Sequence, residues 1–196
     1  MSRRTGVVTI LAIVGAFALV LTSVGVAGHG KGKRRSAEAK LIGYEEVPAV
    51  STAAKGKIKL KVRNGSTGTI EYRLSYSGLT APATQAHIHF AQKGVNGGIV
   101  LWLCDSATNN SPVADTPACP AGNTATKETV SGTLDATDVQ AILSMGVPAQ
   151  GIAAGELAEV LAALKAGVTY ANVHSGTFPG GEIRAQLDRR GRGHDD

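Results

Sequence analysis

From Lys57 to Arg63 the chain alternates strictly between apolar and basic residues, with Ile58, Leu60 and Val62 set between Lys57, Lys59, Lys61 and Arg63. The run Asn64-Gly-Ser-Thr-Gly68 interrupts it, and alternation resumes with Ile70, Tyr72, Leu74 and Tyr76 against Glu71, Arg73 and Ser75. A period of two on both sides of a glycine-rich turn predicts a β-hairpin with one buried face. Its lysines would lie on the open face, where they discourage edge-to-edge pairing. Further strands are expected at residues 39–44, 86–90, 97–104, 126–134, 168–175 and 181–187. The uniformly apolar "GGIVLWLC" suits a strand buried on both faces. Two stretches break the pattern. Asp135 is placed to cap a helix carrying Val139, Ile142 and Leu143, closed by Gly146 and Pro148. A second helix, residues 155–166, has Leu157, Val160, Leu161 and Leu164 on one stripe and Gly167 behind it. These elements predict an all-β domain, an immunoglobulin-like or Greek-key sandwich or barrel, with a short helical insertion before the last two strands.

Composition narrows the class. The chain has 196 residues with 25 glycines and 18% charged residues, which fits one turn-rich globular domain with tails. The formal net charge is +5, but from residue 40 to 187 eight Lys and three Arg balance eleven acids. The surplus lies in the N-terminal segment, at Arg3, Arg4 and the "KGKRR" of residues 31–35. No basic stripe for nucleic acid is legible, so nucleic acid is not expected as a partner. A basic start, the apolar run of residues 7–26 and small residues to Ala27 form the pattern of a secretory signal. The run also has the length of a membrane span, so an uncleaved anchor is the alternative. The resulting map is signal or anchor at 1–27, basic linker at 28–38, domain at 39–187 and charged tail at 188–196, in a secreted or extracytoplasmic protein. Cys104 and Cys119 bracket a turn-rich loop, and export favours a structural disulfide between them over two free thiols.

The internal histidines are the candidate chemistry. Side chains on a strand alternate faces, so His87 and His89 in "AHIHF" point one way and Ala86, Ile88 and Phe90 the other. Likewise Tyr170, Asn172 and His174 share a face, as do Glu182, Arg184 and Gln186. Neutral imidazole suits zinc or copper. His87, His89 and His174 would be ligands if their strands are neighbours, with Glu182 a fourth ligand or a partner fixing a ring tautomer. Hydrogen-bonded histidines on a polar face are the alternative. No nucleophile elbow, HExxH helix, phosphate loop or paired-cysteine motif is present.

"AKLIGYEEVPAV", "AHIHFAQKGVNGGIV" and "GVTYANVHSGTFPGGEIRAQL" together resemble the CHRD domain, a module of chordin and of exported bacterial proteins. The resemblance spans residues 39–187 and rests on Glu46-Val47-Pro48, the His-x-His strand, Asn172 with His174, and Gly181 with Arg184. Ala49 and Ala185 stand where the family tends to have proline and glycine. The resemblance implies an all-β, immunoglobulin-like fold and a non-enzymatic binding or structural role toward an extracytoplasmic ligand or protein. The His-x-His strand is also similar to that of copper/zinc superoxide dismutase, which makes a metal-dependent redox enzyme one alternative. That dismutase needs a further histidine, and this chain has no fourth internal one. A surface adhesion or matrix protein without metal is another alternative.

Overall fold

The structure is a computed structural model that describes residues 36–64, 68–106, 111–144 and 147–187. The signal or anchor segment, most of the linker and the charged tail lie outside the described residues. Ten strands and one α-helix follow in chain order: β1 (Ser36–Ile42), β2 (Lys55–Arg63), β3 (Thr69–Ser77), β4 (Ala83–Phe90), β5 (Gly98–Asp105), β6 (Glu128–Leu134), β7 (Leu143–Ser144), β8 (Val147–Pro148), α1 (Leu157–Ala166), β9 (Thr169–Ser175) and β10 (Ile183–Leu187). Eight of the strands form one antiparallel sheet in the order β5-β4-β9-β10-β1-β2-β3-β6, and β7 pairs only with β8.

The alternation on β2 and β3 sets their pairing: Ile58 registers with Leu74 and Leu60 with Tyr72, so one face carries the apolar set. That face curls inward until β5 and β6 approach each other, making a nearly closed barrel-like sheet. Leu41, Ile58, Leu74, Ile88, Leu101 and Ile183 meet in its interior. Tyr72 on β3 crosses that interior and donates to the Leu103 carbonyl on β5 at 2.6 Å. Val100 to Cys104 are buried, as the apolar run predicts, whereas its first three residues, Gly97 to Ile99, are half-buried.

The edge of β5 is covered by two connecting segments. Residues 117–119 bond to Asp105, and Cys119 is disulfide-bonded to Cys104. Farther along, Gln140 donates to the Val100 carbonyl and Gln150 accepts from the Gly98 N–H. These contacts satisfy strand groups that an open edge would expose.

Three expectations are corrected. β1 begins at Ser36, ahead of the expected residue 39, and gives way after Ile42 to a 3-10 turn, Gly43–Glu45. The chain doubles back there, with the Val50 N–H bonding to Gly43 O. The helix expected after Asp135 is one 3-10 turn, Ala136–Asp138. Asp135 does cap it, accepting from the Thr137 N–H, but Val139 is buried and Gln140 bonds to β5, so the chain runs extended. Finally, β2 lies inside the sheet between β1 and β3, so its lysines guard no edge. The second helix forms as α1, ended by Gly167 in the left-handed region. Leu157, Val160 and Leu164 are buried, whereas Leu161 is half-buried.

Candidate metal centre

β9 lies beside β4, with His87 registered to Asn172 and Gln85 to His174. This non-local pairing brings the third histidine to the first two. Strand parity holds: Ala86 and Ile88 on β4, and Ala171 and Val173 on β9, enter the apolar interior. The histidines occupy the opposite face, which is not open to water, since His87, His89 and His174 are only 1%, 7% and 8% exposed. Trp102 on β5 stands edge-on to His87 with ring centroids 4.2 Å apart. Tyr170 stacks parallel on His89 at 4.5 Å, and the Arg184 guanidinium lies 3.3 Å from the Tyr170 ring centroid.

One ring nitrogen of each of the three histidines lies within 4.8 Å of the others. Three nitrogens around a tetrahedral ion, each bonded at about 2.0 Å, stand roughly 3.3 Å apart, so a contraction of up to about 1.5 Å would seat an ion. Backbone carbonyls orient two of the rings. His89 Nδ1 lies 3.0 Å from Gly97 O and His174 Nδ1 lies 2.8 Å from Pro179 O. A carbonyl accepts only, so both Nδ1 atoms carry the proton and both Nε2 atoms carry the lone pair of a neutral ring. His174 Nε2 then accepts from His87 Nδ1 at 3.1 Å, which leaves His87 Nε2 buried without a partner. His89 Nε2 faces the Asn172 side-chain amide at 3.0 Å, with Oδ1 the nearer atom. A neutral His89 cannot donate there too. Either the amide turns half round to present its NH2, or a cation takes the lone pair.

Burial keeps the rings neutral. It is the main cause holding His87 down at about 2, with His174 and His89 adding to the effect. It also holds His89 at about 4, against the opposing bond to Gly97. His174 is lowered for the same reason, opposed by its bond to Pro179. A metal ligand must be a neutral imidazole, and burial favours that form in all three.

Glu182 does not join them. Its carboxylate accepts from the hydroxyls of Thr52, Thr80 and Ser175 and from the Thr80 N–H, tying three loops together away from the rings. Arg184, stacked on Tyr170, donates to Asn96 Oδ1 and Val95 O and not to the rings. Glu46 from the Glu-Val-Pro motif is buried beside Asn172 and Gly181. A Cβ on Gly181, whose φ is +121°, would lie 2.4 Å from Glu46 Oε1 and 2.9 Å from Asn172 Nδ2. Burial pushes the Glu46 carboxyl up to about 7, although Arg184, the Val47 N–H and Asn172 favour its charged form. Val47-Pro48 is a cis peptide. Glu46, Asn172, Gly181 and Arg184, far apart in sequence, therefore adjoin the histidine cluster. His29 and His194 lie outside the described residues.

Sequence reasoning missed three parts of this site. In sequence Trp102 is one member of an apolar run, although its registration opposite His87 puts it on the histidine face. The carbonyls of Gly97 and Pro179 carry no residue-type signal at all.

No curated protein matches the chain, and no solved structure does. The CHRD domain family matches residues 37–187, a span that holds every strand that shapes this site, and the chain is a member of that family.

Proposed function

We propose that this protein is an exported CHRD binding module with a structural or ligand-binding metal centre at His87, His89 and His174, for zinc or copper. The observation that carries this reading is the orientation of two rings. Nδ1 of both His89 and His174 is bonded to a backbone carbonyl, the outer-shell arrangement that fixes a ligating histidine's tautomer and leaves its lone pair on Nε2. A face of merely hydrogen-bonded histidines would have no need to leave His87 Nε2 buried and unpartnered. Export is supported by the basic-apolar-small N-terminal pattern and by the Cys104–Cys119 disulfide, which persists in oxidising compartments. Among the described residues no helix is long and apolar enough to cross a membrane.

Calorimetric titration of the chelator-stripped protein with zinc and with copper(II) tests the centre. One ion should bind per chain, and His87→Ala, His89→Ala or His174→Ala should each weaken binding at least about tenfold. His29→Ala and His194→Ala should leave it unchanged. Equal weak binding across all these variants would leave the histidines as a hydrogen-bonded polar face.

A further inference from the structure

Folding sorts the charges of a neutral domain onto one side. The outward positions of β1, β2 and β3 carry Lys40, the five cations of β2 from Lys55 to Arg63, and Arg73, against only Glu38 and Glu71. Glu38 is shared by Lys57 and Lys59, and Glu71 holds Arg63. Lys40, Lys55 and Arg73 form no ion pair among the described residues, and Lys61 faces Glu71, which Arg63 already holds.

The placement is only partly favourable for folding. Glu38 faces Lys59 and Glu71 faces Lys61, but Lys40 registers directly opposite Lys57, and Lys59 opposite Arg73, and like charges facing each other across strands destabilise a sheet. Edge protection does not account for them, because β2 is interior and the edge strand β6 turns uncharged Thr129, Ser131 and Thr133 outward. Two shallow depressions lie on this same face. One is bordered by Lys59, Lys61 and Arg73 together with Glu38 and Glu71, the other by Lys40, Lys55, Lys57 and Lys127 with no acid.

We infer that the outer face of β1, β2 and β3 binds an acidic polysaccharide, a flexible chain bearing repeated carboxylate or sulfate groups. Charge complementarity supplies the attraction, and a surplus of one sign on a broad face raises both local anion concentration and encounter rate. Lysines act as separate point charges suited to anions spaced along a chain. Ser75 and Thr129 continue the row of Lys40 and Lys57 across the sheet, offering hydroxyls where sugar hydroxyls would lie. Single-stranded nucleic acid is disfavoured because no aromatic side chain occupies an outward position on these strands, and base stacking needs such platforms. A flat sheet face also presents nothing to enter a duplex groove.

Surface binding of the full chain to dextran sulfate and to polygalacturonate tests this, with uncharged dextran as control. Both acidic polymers should bind and neutral dextran should not, and affinity should fall steeply between about 50 and 200 mM salt. Combining Lys40→Gln, Lys55→Gln, Lys61→Gln and Arg73→Gln should weaken binding at least about tenfold and flatten the salt dependence. The melting temperature should change little, since losing the opposed like charges at Lys40 and Arg73 offsets losing the Lys61–Glu71 attraction. Should that variant fold poorly, Lys61→Gln and Arg73→Gln alone should each weaken binding about two- to threefold. Lys93→Gln with Lys165→Gln, away from this face, should change nothing. Unchanged binding in the face variants overturns the proposal, as does face-dependent binding that is tighter to duplex DNA or to phosphatidylglycerol vesicles than to either polysaccharide.

Discussion

Glu46 and the three histidines act on acid stability in opposite directions. The histidines titrate near 6.5 when unfolded, but burial holds His87 at about 2 and His89 at about 4 in the folded protein. Between pH 6.5 and 4 the unfolded chain binds more protons, so stability falls as pH falls. The Glu46 carboxyl is raised from 4.5 to about 7. The folded protein takes up that proton first, so this contribution grows as pH falls from 7 to 4.5 and is lost as pH rises again. Glu46 thus offsets part of the histidine penalty. In chelator-treated protein, Glu46→Gln should make the loss of stability from pH 7 to 4.5 steeper by roughly 1–3 kcal/mol, read from urea midpoints across that range. Parallel curves for variant and wild type would mean that the Glu46 proton is not shifted by folding. Residue-level legibility follows the same physics. The faces of His87, His89 and His174 could be read because strand parity is a local rule. Glu182 could not be read that way. Gly181 turns the chain at positive φ, and Glu182 donates its N–H to the same Val173 that registers with Ile183. Two residues opposite one reset the alternation, as at a β-bulge.

At the scale of elements, period and capping located most segments, and partner demand decided the rest. The β2–β3 hairpin and α1 are local, so their patterns sufficed. The segment after Asp135 has a correct cap and three apolar residues at helical spacing, yet Val139 is buried in the core and Ile142 packs against Gly98 of β5 instead. Ile142 lies over Gly98 so closely that a Cβ there would come within 2.4 Å of it. What overrode the helix was the set of unpaired groups on β5, and which strand forms the sheet edge is not written in any one segment. Helix α1 allows a direct check. Leu164 is 3% exposed and belongs to the core, whereas Leu161 only borders it. Leu164→Ala should cost about 2–5 kcal/mol, and Leu161→Ala clearly less, in chemical denaturation. Equal costs would show that the helix packs with a different stripe inward.

The whole molecule depends on pairings that join distant parts of the chain. β9 inserts between β4 and β10, and β10 pairs with β1, so the last strands complete a sheet begun by the first. The histidine cluster exists only because of that order, which is why its members could be named from sequence but not brought together. Charge segregation has that origin only in part, since five of the cations of the basic face alternate along β2 itself, and the pairing of β1 and β3 with it adds Lys40 and Arg73. The remaining weakness of such a fold is its seam, where β5 and β6 approach without pairing. The disulfide sits at that place. Cys104 is fully buried on β5, and Cys119 follows the segment that bridges to Asp105. It closes a loop with a sequence separation of 15 residues, and the lost freedom of the unfolded chain corresponds to about 3 kcal/mol. Cys104→Ser with Cys119→Ser should therefore lower stability by about that amount in guanidinium. Amide exchange should quicken first along β5 and residues 117–119, while β2 and β3, paired on both sides, stay protected. An unchanged midpoint, or exchange quickening equally in β2 and β3, would mean that the seam is held by its apolar core and the loop hydrogen bonds rather than by the disulfide.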